Sequence, residues 1–148
     1  MSKKITFRGQ IADGLQNKIN LATLNGKRGY KITRFQICGL IMGAGDKELT
    51  AQIFTKDQTG AITSEVDFTD SNLLAVALYN DVASQATGND EVIIFDGEVF
   101  NQDIYITAVD QTGNTAPTNY FLELETVALS DAQATQLTLK NLRTIASR

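Results

Sequence analysis

"NYFLELETV", residues 119–127, sets Tyr120, Leu122 and Leu124 in alternation with Glu123 and Glu125. An extended chain with that pattern has one dry face and one wet face, which is the period of a half-buried β-strand. A helix would scatter the same side chains around its circumference. The same reading applies to "KITFRG" at 4–9, where Ile5 and Phe7 share a side, and to "DIYITAV" at 103–109, where Ile104, Ile106 and Ala108 oppose Tyr105, Thr107 and Val109. Further strands are predicted at "NKINL" (17–21), "YKITRFQI" (30–37), "LTAQIF" (49–54), "ITSEVDF" (62–68) and "EVIIF" (91–95). Turn-forming residues separate them at "NGKRG" (25–29), "GAGD" (43–46), "TGND" (87–90) and "DG" (96–97). About eight short strands with turns between them indicate an all-β chain, an antiparallel β-sandwich or jelly roll.

Two segments depart from this period. In "LLAVALY", residues 73–79, Leu73, Leu74, Ala77 and Leu78 fall at helical spacing behind a possible cap, Asp70, so a short helix is expected, with a buried strand as the alternative. The tail "SDAQATQLTLKNLRTIASR", residues 130–148, is a clearer helix. Ser130 and Gln133 have capping-box spacing, Asp131 suits the start, and Arg143 and Arg148 suit the end. Leu139, Leu142, Ile145 and Ala146 share one face with Leu137 at its edge, a stripe broad enough to dock. The expected organisation is a β-sandwich domain over 1–129 and a C-terminal helix over 130–148, packed on that sandwich in preference or else on a partner.

A chain of 148 residues fits one domain, and 43% hydrophobic with 20% charged residues is enough apolar content to fold. No apolar run follows "MSKKITFRGQ", and the longest, "LLAVALY", is too short for a membrane helix, so neither a secretory signal nor a membrane span is expected. Cys38 is the single cysteine; set in "FQICGLIM", it reads as a small buried hydrophobe. The sequence holds no histidine. That removes the usual general base, the usual zinc ligand and the Ser-His and Cys-His nucleophile pairs. The carboxylates are scattered over predicted turns and wet faces. No catalytic residue, metal site or cofactor is expected, and the chain reads as a non-enzyme.

Asp-Gln-Thr-Gly occurs twice, in "KDQTGAI" (56–62) and "VDQTGNT" (109–115). Asp suits the first position of a type I turn and Gly the left-handed position that closes a G1 bulge, so both copies are predicted to be hairpin turns. A calcium loop needs a longer series of oxygen ligands than Asp57 or Asp110 has nearby.

Charge is segregated. Residues 1–34 hold eight basic side chains and one acid, Asp13, for a local charge of +7, whereas 35–131 hold two lysines and sixteen acids. Lys3, Lys4, Arg8, Lys27, Arg28, Lys31 and Arg34 are therefore candidate partner-binding residues, with Leu139, Leu142 and Ile145 as the apolar anchor. A nucleic-acid reading draws on Phe7, Tyr30 and Phe35 among these cations, and "RGYKITRF" matches four of the seven specified positions of an RNA-binding RNP1 motif. No βαββαβ order accompanies it, and a protein partner is the expected one.

"LNGKRGYKITRFQI", "VFNQDIYITAVD" and "NYFLELETVALSDAQATQLTLKNLR" together resemble small virion structural proteins of tailed bacteriophages, particularly marine ones, of the capsid decoration or minor capsid kind. The likeness spans nearly the whole chain and rests on strand and turn sequences. It implies a non-enzymatic protein made in the host cytoplasm and located in the virion. Its expected partners are the major capsid protein or another virion protein and further copies of itself, with no membrane and with nucleic acid disfavoured. The alternative is a carbohydrate- or receptor-binding module of a phage fibre, which the absence of Trp weakens. A nucleic-acid-binding β-domain ranks third.

Overall fold

A computed structural model describes residues 2–22, 26–41, 46–81, 89–95 and 97–146. Residues 119–127 lie in β8 (Thr118–Ala128), which is the middle strand of a three-stranded antiparallel sheet between β1 (Lys4–Ile11) and β3 (Arg28–Gly39). A middle strand has a ladder on both edges, so its side chains alone decide which face is buried. Tyr120, Leu122 and Leu124 are in the core, while Phe121, Glu123 and Glu125 point outward. The opposing sheet has five strands in the order β2 (Leu15–Ile19), β7 (Ile104–Asp110), β4 (Lys47–Phe54), β5 (Leu73–Asp81) and β6 (Asn89–Ile94), all antiparallel.

Pairing of β1 with β8, β2 with β7 and β4 with β5 is the wrap of a jelly roll, a long hairpin folded over on itself. The remaining pair, β3 with β6, is reduced to one bridge between Tyr30 and Phe100, in the chain that leaves β6. Between the sheets lie Phe35, Leu49, Ile53, Ile104, Ile106, Leu122 and Leu124, all fully buried. The all-β sandwich expected from the alternation is the observed fold.

Three local expectations are corrected. The run "LLAVALY" is not a helix but most of β5. Leu74 and Ala77 face the main core, whereas Leu73 and Val76 join Phe54 in a second cluster on the sheet's outer side, roofed by Val66 and Phe95. A strand that is dry on both faces has no alternation to read.

That roof is the second correction. Residues 62–68 keep the alternation, with Ile62, Ser64 and Val66 half-buried and Thr63, Glu65 and Asp67 exposed, but they bend at Ser64 and belong to no ladder. They form a strap across the outer face of the five-stranded sheet. Gln52 Nε2 donates to the Glu65 carbonyl (3.0 Å) and Ser64 Oγ contacts Gln111 Oε1 (2.6 Å). Alternation reports one dry side, and a sheet face below supplies that as well as a neighbouring strand does.

Third, neither Asp-Gln-Thr-Gly copy is a tight hairpin turn, and the first lies at the start of the long connection between the paired strands β4 and β5. The first opens the strap; the second carries the chain from β7 in one sheet to β8 in the other. The glycines do adopt the expected left-handed backbone, Gly60 at φ 87° and Gly113 at φ 84°. Expected turn residues at 25, 43–45, 87–88 and Asp96 lie outside the described residues.

The tail forms α1 (Asp131–Ala146). Its capping box closes both ways: Ser130 N donates to Gln133 Oε1 (2.9 Å), and Gln133 N donates to Ser130 Oγ (3.2 Å). Ser130→Ala is expected to weaken the helix by about 1 kcal/mol. The check is a loss of helical ellipticity with the β signal unchanged.

Candidate functional site

The outer face of the three-stranded sheet collects much of the basic segment. Lys4 and Lys31 both stand opposite Glu125, Thr6 and Arg34 opposite Glu123, and Arg8 and Gln36 opposite Phe121. An acidic central strand is thus flanked by two basic ones. Lys4 Nζ lies 3.6 Å from Glu123 Oε1, and Lys31 Nζ lies 3.7 Å from Glu125 Oε2. The Arg34 guanidinium sits over the Phe121 ring at 5.6 Å. These exposed contacts are each worth up to about 1 kcal/mol, so they align side chains more than they stabilise the fold.

The segment does not form a single positive surface. Lys27 pairs with Asp131 at the start of α1 (3.0 Å), beside Arg28 at the beginning of β3. Lys18 pairs with Asp103 (3.3 Å) on the other sheet. Lys3 and Arg8 form no ion pair among the described residues. The aromatics named for base stacking are turned away: Tyr30 and Phe35 are in the core, Tyr30 stacked on Phe100, and Phe7 is half-buried against it. The RNP1-like stretch therefore presents Lys31 and Arg34 outward but no ring on which a base could stack.

Asp110 and Asp57 use their oxygens within the chain. Asp110 Oδ1 accepts from Glu48 N (3.3 Å), Thr112 N (3.1 Å) and Thr112 Oγ1 (2.7 Å), and Oδ2 accepts from Ala116 N (3.0 Å). Burial pushes this carboxyl up, but the hydrogen bonds, that of the Thr112 hydroxyl foremost, outweigh it and hold the group below the usual carboxylate range. Asp57 accepts from Gln16 Nε2, and Gln16 Oε1 accepts from Gln58 N (3.2 Å), which clips the start of the strap to β2. Among the described residues no three His, Cys, Asp or Glu groups gather where a metal ion could be held.

The C-terminal helix holds the main surprise. Ala134 is buried and Leu137 and Thr138 are half-buried, whereas Leu139 is 47% and Leu142 55% exposed. The stripe expected to pack on the chain's own sandwich faces outward as far as it is described; the Ile145 side chain lies outside the described ones. Docking runs instead through Asn101, a fully buried side chain that sequence reading missed. Its Nδ2 donates to Gly26 O (3.0 Å), Ala134 O (3.5 Å) and Thr138 Oγ1 (3.3 Å). Leu137 lines one cavity together with Leu74 and Phe100. In the sequence "VFNQD" a lone Asn is indistinguishable from a turn residue, so the signal for this clasp was absent.

Compared with the models of known protein families and with curated proteins, the chain has no match.

Proposed function

We propose that this chain is a non-enzymatic virion structural protein that fastens to the surface of a phage capsid as a decoration or minor capsid protein, with α1 as its anchor. The carrying observation is the pair Leu139 and Leu142, held in the open on a helix that is capped at its start and clasped by Asn101. Two leucines one turn apart offer a partner roughly 2 to 4 kcal/mol of burial, enough to anchor a contact that charge alone would leave weak. Jelly rolls recur in capsid proteins and in lectins, so the fold is compatible with the reading without choosing it. The sugar-binding alternative lacks a platform. Phe68 is the largely exposed aromatic among the described residues, and it stands edge-on to Phe95 (5.2 Å, 85°) with no second ring to clasp a sugar.

Co-sedimentation with purified capsids tests the proposal. Wild-type chain is expected to pellet with them, and Leu139→Glu with Leu142→Glu is expected to remain in the supernatant at an unchanged melting temperature. Pelleting unaffected by the double change would overturn the anchor. Salt is expected to weaken attachment only partly, since most cations of the sheet face already have partners within the chain.

A further inference from the structure

Five strands of the larger sheet face three of the smaller one. β6 is the last strand of the larger sheet. Val92 lies opposite Ala77, which faces the core, and Ile93 lies opposite Val76, which faces the outer cluster. The two side chains thus point to opposite faces, yet they are 38% and 39% exposed. β6 packs against β3 across the sandwich, and these two side chains still keep more than a third of their surface in the open.

Its free edge can be phased. Antiparallel neighbours exchange backbone bonds at alternate residues. Phe95 N donates to Leu74 O (3.0 Å), continuing the β5–β6 ladder, so Glu91 and Ile93 turn their N–H and C=O groups to β5. Asp90, Val92 and Ile94 turn theirs outward, where no described strand pairs with them. β1 is the edge of the other sheet. Thr126 N donates to Lys3 O (2.8 Å), so Ile5 and Phe7 turn to β8, and Lys4, Thr6 and Arg8 turn outward. Gln10 shares that outward phase, but its carbonyl already accepts from Asn17 Nδ2 (3.4 Å).

The two edges are complementary. Lys3, Lys4 and Arg8 make the β1 edge basic with no acid, and Asp90 and Glu91 make the β6 edge acidic with no base. Lys3, Arg8, Asp90 and Glu91 form no ion pair among the described residues. We propose that β1 of one copy pairs antiparallel with β6 of a second copy, with Arg8 opposite Asp90 and Thr6 opposite Val92. This register joins free backbone groups to free backbone groups, and between those pairs it sets Ile5 beside Ile93. β1 lies on the β2 side of the sandwich and β6 at the far end of the five-stranded sheet, so two copies cannot satisfy both contacts at once. The contact is heterologous and builds a ring or an open chain. It does not involve α1, and it stands whether or not the helix binds capsids.

Sedimentation velocity of the full chain across a concentration series tests it. Species larger than a dimer are expected to appear as concentration rises. Val92→Pro removes a donor that no internal bond uses, and is expected to give a folded monomer. Arg8→Asp and Asp90→Arg are each expected to weaken association about tenfold, and the two in one chain to restore it. A wild-type chain that stays monomeric, a closed dimer, or association unchanged in folded Val92→Pro would overturn the proposal, as would failure of the paired reversal to restore what each single one loses.

Discussion

Phe35→Ala is expected to destabilise the fold by about 4 kcal/mol, the largest effect of any single truncation considered. Phe35 is 1% exposed and stands opposite Leu122 at the centre of the core. Its inward direction depends on an irregularity. Along β3, Tyr30 and Ile32 face in, so simple alternation would next bury Arg34. A bulge between Ile32 and Arg34 absorbs Thr33, whose hydroxyl lies 3.2 Å from the Glu123 carbonyl and 2.9 Å from its Oε1, and the phase resets so that Phe35 and Ile37 face in. Denaturant unfolding measures the loss. Arg34→Ala, one residue away, is expected to cost less than about 1 kcal/mol, because it removes only an exposed ring contact. Equal losses at the two positions would show that the phase of this strand is wrong.

Asp110→Ala is expected to cost about 3 kcal/mol, since it strips partners from the backbone N–H groups of Glu48, Thr112 and Ala116 at once. The consequence for pH follows from the direction of the shift. Asp110 has a folded pKa held below its unfolded value, so its contribution is fully present above that unfolded value, about 4, and is lost as pH falls through the folded one. Asp103 behaves alike. Burial pushes it up, but the amides of Ala22 and Leu21 and the Lys18 ammonium outweigh that and hold it down. The wild-type melting temperature is expected to fall below about pH 4, and Asp110→Ala is expected to flatten part of that fall. A variant that loses stability in acid as steeply as wild type would contradict the role given to this carboxylate.

Sequence reading succeeded where burial was one-sided. β1 and β8 have one dry face each, and their alternation is visible in the residues; β7 shows it through Ile104, Ile106 and Ala108 although Thr107 on its other side is buried as well. It failed where a second layer intervened. The strap buries the outer side of β5, which erased the alternation of 73–81, and the sheet beneath the strap lent 62–68 an alternation without a ladder. The candidate site divides in the same way. Clustered cations were legible, but their partners Glu123, Glu125, Asp103 and Asp131 were not, because pairing across more than eighty residues of sequence leaves no local mark. The helix stripe was legible as apolar. Its outward direction depends on Asn101, thirty-three residues before Ala134.

The pairing of β1 with β8 also sets the order in which the chain can be completed as it is made. Lys3 bonds to Thr126, 123 positions later, so the first strand leaves the ribosome with its ladder partner still unsynthesised. At about 5 to 20 residues per second, β1 waits several seconds for β8. In that interval Ile5, Phe7 and Ile11 have no sheet to join. The central hairpin of β4 and β5 has its two strands much closer in sequence and can form during that wait. Closure of the three-stranded sheet thus waits for β8, and a fragment ending before β8 has no route to the native fold.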